Sequence, residues 1–200
     1  TGALVVGTPS VGEIAQGQGL NAARTRAVEG GEVLRFGGFE VDVIRSPHSP
    51  DPLYPGEIDD PLHMPATLMQ FKEGGNLSFL LRHAQGHVLI HGSANYLPGM
   101  YAGKHADVVF LGIGLLGKQS SDFIRAYWHE VVQVTGAKVV IPVHWDDFSR
   151  SLDEPLKQTI WPLDNIPAAL KAINALAAAD GVEVSVLQQY QRVELPISAQ

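Results

Sequence analysis

The chain has no cysteine, and that absence removes disulfides and thiolate metal sites together. Any zinc bound here would have to be held by histidine and carboxylate. Basic residues are scarce as well: 14 lysines and arginines stand against 21 acids, a formal net charge of -7. Nucleic-acid binding needs a basic face to neutralise phosphates, so that class of partner is excluded. No window approaches the ~20 consecutive apolar residues of a membrane span. The most apolar helical stretch, 168–179, is too short and carries Lys171 and Asn174. Also missing are an HExxH motif, an internal repeat and a visible signal peptide. The last of these makes the cytoplasm the expected compartment. The opening Thr1-Gly2, without a methionine, suggests a processed or trimmed piece of a longer chain.

What is present is an ordinary globular balance, 45% apolar and 18% charged over 200 residues. That suits a single domain, 1–200, with a real core. The chain is organised around Lys138–Phe148. Its first part, Val139–Val143, is apolar and β-branched, the pattern of a strand buried on both faces. It stops at His144, followed at once by Trp145, Asp146 and Asp147. In α/β architectures ligands collect at the carboxyl ends of such strands. For an isolated histidine the bland alternative, a strand cap bonding a nearby carbonyl, would be the better choice. Two similar strand ends alter that balance: Ser46-Pro47-His48-Ser49 after Val41–Ile44, and His91-Gly92-Ser93 after Val88–Ile90.

Elsewhere the pattern predicts a strand over Ala3–Gly7, then a helix with Ser10 as N-cap and Glu13 completing a capping box. Short antiparallel strands are expected over 25–28, 32–36 and 39–45, and a hairpin over 76–82 and 87–91. A buried strand follows at 107–113, then a helix from Ser121 to about Thr135 and another from Ile166 to Ala179. Late edge strands are expected at 183–187 and 193–195. Ser46 to Gly75 is proline-rich, with little periodicity, and is long for a loop in a compact domain. Its aromatics and methionines (Tyr54, Met64, Met69, Phe71) point to an ordered flap packed over a cavity. The remaining histidines, His63, His83, His87, His105 and His129, fall in turns or on exposed faces.

Taken in order, S-P-H-S, L-I-H-G-S-A-N-Y, D-V-V-F-L-G-I-G and V-V-I-P-V-H-W-D-D-F resemble the C-terminal portion of the metallo-β-lactamase-fold hydrolases. The branch they most resemble holds sugar-phosphate lactonases and N-acylphosphatidylethanolamine-type phospholipases. The resemblance implies an α/β (αββα) sandwich lacking its N-terminal part. It also implies metal-dependent hydrolysis of an ester, lactone or phosphodiester small molecule by a metal-bound water. His48 and His144 would be metal ligands, with zinc the expected ion and iron or manganese as alternatives. Ser93, His91, Trp145 and Asp146 would lie behind those ligands or on the substrate side. Two departures stand out. The family's H-x-H-x-D-H motif is absent, and Ser93 stands where an aspartate usually bridges two metals, so one metal is expected. A partner chain or second copy is expected to complete the fold. The rival readings are a catalytically silent member retained for binding or assembly, and an unrelated binding module using Gly112–Gly117 as an anion-binding turn.

Overall fold

The computed structural model describes residues 2–50, 54–151 and 153–195; residues 51–53 of the long loop lie outside them. Among the described residues, seven strands form one sheet in chain order: β3 (Val33–Phe36), β4 (Phe39–Arg45), β5 (Leu77–His83), β6 (Gly86–His91), β7 (Val108–Gly112), β8 (Val139–Val143) and β9 (Glu183–Val184). Pairing is antiparallel from β3 to β6 and parallel from β6 to β9. Two reversals separate β4 from β6, so β4, β6, β7 and β8 all run the same way. Their carboxyl ends therefore share one edge, and that edge collects residues 46–49, 92–95, 113–115 and 144–146.

Alternation along the strands sorts the core into two faces. Ile44, Leu80, Leu89, Val109, Leu111 and Val140 face one way, against α2 (Ser121–Trp128) and α3 (Ile166–Asp180). Trp128, Tyr127, Val131, Ile166 and Ile173 fill that layer, and burying each large apolar side chain contributes roughly 1.5–3 kcal/mol. On the opposite face Val43 and Leu34 pack with Val28 and Val6. The latter two belong to a small unit in which β1 (Val5–Gly7) pairs parallel with β2 (Thr25–Ala27), covered by α1 (Pro9–Gly17). The layers are thus helix, sheet, sheet, helix, with the second sheet reduced to two strands. No described helix is long and apolar enough to cross a membrane.

Several boundaries differ from the sequence pattern. Residues 25–27 pair parallel with β1 rather than joining an antiparallel meander, because the pairing partner lies far back in the chain. Helix α1 starts at Pro9, not after Ser10: proline at the first helical position loses nothing by lacking an N–H. The Ser10 hydroxyl instead accepts from Ile58 N–H (2.9 Å), tying the helix to the long loop. α2 gives way after Trp128 to a π-helical turn, His129–Gln133, and Gly136 ends the segment at φ +71°. α3 matches its expected start, capped by Asn165, whose side chain accepts from Ala168 N–H (3.3 Å). β9 stops after Val184, and no strand forms at 193–195.

Candidate functional site

His48 and His144, far apart in sequence, line the same cavity of about 430 Å³ at the shared strand edge. Asp146 and Asp164 lie on its wall with them, and Tyr54, Leu68, Phe71, Leu115, Phe148 and Leu163 form its apolar lining. Tyr54 and Phe71 reach it from the long loop, whereas Met64 stays exposed.

Each imidazole is held by a different device. His48 Nδ1 lies 3.0 Å from the Ser49 carbonyl. A carbonyl can only accept, so Nδ1 carries the proton and Nε2 keeps its lone pair. No described residue hydrogen-bonds that Nε2. The backbone of His48 is fixed in turn, since Asn95 Nδ2 donates to its carbonyl (2.7 Å). His144 follows the last residue of β8 at φ +59°, in the left-handed region that costs a non-glycine residue about 1 kcal/mol. Its ring lies over the backbone of Gly114. A β-carbon at 114 would stand 1.9 Å from His144 Nδ1 and 2.4 Å from Cε1, so only glycine admits the ring there. Leu115, the next residue, is also left-handed (φ +63°). The buried Asp164 carboxylate holds it, accepting from Leu115 N–H and from Asn165 N–H (2.6 Å each). Strained backbone thus gathers where β7 and β8 deliver their loops.

The third strand end behaves differently. His91 is fully buried. Its Nε2 donates to the Asn95 carbonyl (2.8 Å), which leaves Nδ1 as acceptor, 2.6 Å from the Tyr101 hydroxyl and 2.8 Å from the Ser78 hydroxyl. Burial pulls the imidazole down to about 4, against the pull of the Asn95 carbonyl, so the ring is neutral at ordinary pH. Burial likewise pushes the phenols of Tyr101 and Tyr127 up. Ser93 does not line the cavity: its hydroxyl accepts from Ser49 N–H (2.8 Å) and pairs with the Ser49 hydroxyl (3.1 Å). Ser49, which sequence reasoning passed over, is the knot. Its own hydroxyl accepts from Ala94 N–H (3.1 Å) and reaches the Gly114 carbonyl (3.4 Å). Trp145 packs against the core, and its carbonyl accepts from Thr159 N–H. Asp164 was legible in the sequence only as a possible helix cap; its hold on Leu115 depends on a loop far back in the chain.

A divalent ion would find two imidazole donors in this cavity. A structural or catalytic zinc takes three or four protein ligands. No group of three or more His, Asp or Glu among the described residues is placed to hold a metal. Two imidazoles fall short of that number, so the described residues do not by themselves build a metal site.

A second cavity of about 450 Å³ shares His48 and Glu73 with the first. It runs between the start of α1 and β4, and its lining is mixed: Glu29, Arg45, Glu57 and Asn76 stand among Pro9, Val28, Pro47, Leu77 and Leu97.

No protein-family model matches the sequence, and no curated protein matches it. Among solved structures the chain is similar to the metallo-β-lactamase fold protein YhfI from Bacillus subtilis, at 13% identity and a TM-score of 0.49 over 92% of this chain and 61% of that one. It is also similar to Zn(2+)-bound PqqB from Methylobacterium extorquens, at 14% identity and a TM-score of 0.44 over 92% of this chain and 63% of that one. The chain spans less than two thirds of the length of either structure.

Proposed function

We propose that the chain carries part of the site of a metal-dependent hydrolase acting on an ester, lactone or phosphodiester. His48 and His144 would be two ligands of one divalent cation, zinc first and iron or manganese behind it, and the remaining ligands would come from outside the described residues. The observation behind this reading is the convergence of two imidazoles from separate strand ends on one cavity, with the proton on His48 fixed to Nδ1 by the Ser49 carbonyl. Such a fixed tautomer is what a ligating histidine needs. When bound, the cation would supply a water of lowered pKa and polarise the scissile oxygen.

The chain's own residues do the rest. Gly114 gives the His144 ring its seat. Asp164 holds Leu115 beside it. The Ser49–Ser93 pair fixes the turn that presents His48. Tyr54, Leu68 and Phe71 narrow the cavity and reduce the water around the scissile bond. Ser93 carries no charge and its hydroxyl is taken by Ser49, which supports one cation rather than two. The substrate would be a small molecule, in keeping with a cavity in the usual ~300–1,000 Å³ range.

One observation favours a second reading, a binding protein without chemistry: three donors do not gather among the described residues. Metal content and ester hydrolysis, measured on the protein that contains this chain, separate the two. One divalent ion per chain, lost together with turnover in His48→Ala and in His144→Ala, is the expected result. No metal and no turnover in the unaltered protein leaves the binding reading.

A further inference from the structure

The cavity that His48 and His144 share has an apolar side that bond breaking alone leaves without a use. Leu68 is 62% exposed, Phe148 80% and Leu163 65%, yet all three line that one cavity together with Phe71 (37%). Single exposed apolar side chains are ordinary on any protein surface. Four that meet at one cavity, from three separate stretches of chain, make a continuous apolar patch of the kind that binds something. Charge on the same wall narrows what that can be. Among the described residues Lys72 is its only lysine or arginine, against the carboxylates of Glu73, Asp146 and Asp164. A divalent cation on the two imidazoles would bring that wall only to formal neutrality, with no positive charge to spare for a phosphate. Size sets the last limit. At the ~30 Å³ that a water-sized group fills, 430 Å³ holds roughly a dozen such groups.

We infer that the substrate is a neutral carboxylic ester or lactone carrying an apolar group, an alkyl chain of moderate length or an aryl ring. That group lies against Leu68, Phe71, Phe148 and Leu163, and the scissile bond stays beside His48 and His144. Which bond is broken rests on the hydrolase reading; what binds does not. Of the three substrate classes open to that reading, the phosphodiester drops out. The water oxygen joins the acyl carbon, the acyl C–O bond breaks, one water proton passes to the departing alcohol and the acid keeps the other. The apolar seat is open to solvent, so the ligand itself covers the side chains that the protein leaves bare.

Binding needs no turnover and is the first test. The N-methyl amides of the straight-chain acids from butanoic to decanoic keep the neutrality and shape of an ester and resist hydrolysis. In titration calorimetry on the protein that contains this chain, their affinity should rise about two- to fourfold per added methylene until the cavity is full. Leu163→Asn and Phe148→Ser alter exposed side chains, so the variants should fold, as circular dichroism can verify. Each should flatten the chain-length dependence and leave the bound metal unchanged. No chain-length dependence, a dependence untouched by both variants, or tighter binding of hexyl phosphate than of the hexanoic amide would overturn the inference. So would variants that lose self-association, or adhesion to phosphatidylcholine vesicles, with the chain-length dependence intact; the patch would then belong to a second copy or a membrane. Chain-length dependence without turnover of the matching p-nitrophenyl esters supports the apolar seat and counts against the hydrolase reading. Equal turnover of the acetate and octanoate esters does the reverse.

Discussion

His91 and His144 both stand at the carboxyl ends of parallel strands, on the same edge of the same sheet, yet they occupy opposite physical situations. His91 is sealed: both ring nitrogens are bonded, water is excluded and the ring stays neutral. His144 is exposed, its backbone is strained, and no described residue bonds its ring. The fold invests stability in the first and spends some on the second. A histidine that completes a buried network secures the loops, and one held in a costly conformation is free to bind. Mutation should tell the two apart by what is lost.

The largest expected effect belongs to the sealed side. His91→Ala leaves Tyr101, Ser78 and the Asn95 carbonyl without their partner and opens a cavity, so it should cost roughly 3–5 kcal/mol in chemical denaturation. The same change at His48 should cost under about 1 kcal/mol, since that ring bonds only the carbonyl of its neighbour. Similar losses at the two sites would erase the distinction.

The pH dependence of stability comes next. The folded pKa of His91 is depressed to about 4 from an unfolded value near 6.5, so the unfolded chain takes up the proton first. Its contribution is complete above pH 6.5 and is lost as pH falls from there to about 4, amounting to about 3 kcal/mol. Denaturation midpoints followed across that window should show a steeper fall for the natural sequence than for His91→Gln. Parallel slopes would mean that the ring is not sealed.

A smaller effect sharpens the open side. Gly114→Ala should destabilise by about 1–3 kcal/mol, because the new methyl group must displace the His144 ring. In a His144→Gly background most of that cost should vanish, giving a coupling energy of at least about 1 kcal/mol in a double-mutant cycle. Additive costs would place the clash elsewhere.

The smallest effect has the opposite sign. His144→Gly removes the left-handed strain and should raise stability by up to about 1 kcal/mol while abolishing ligand or metal binding at that cavity. A loss of stability in that variant would show that the ring contributes packing that its exposure does not suggest.

How much of this could be read from the sequence follows from the range of the forces involved. β4 and β8 have the bounds that their apolar runs imply, and α3 begins at its capping asparagine, because burial pattern and capping are local. The strand-end positions of His48, His91 and His144 were equally legible, each ending an apolar run. What separates the sealed histidine from the open ones was not, since it depends on Tyr101 and on a carbonyl at Asn95 brought round by a loop. Ser49 and Asp164 escaped for the same reason: their partners, Ser93 and Leu115, lie 44 and 49 positions away. The parallel pairing of β1 with β2 was misread as a meander, because a three-residue strand carries too little pattern to name its neighbour.

Pro142 has a consequence for how β8 ends without a neighbour. Val140 gives its carbonyl to Ser185 on the β9 side, so residue 142, two places on, turns its backbone the same way. β9 has already ended there, and no described strand covers that flank. Residue 142 is nonetheless buried, out of reach of water. Any other residue would leave a donor there with neither a strand nor solvent to receive it, at a cost of about 1–3 kcal/mol. Proline has no N–H to leave unpaired, so β8 runs past the end of its neighbour without that loss.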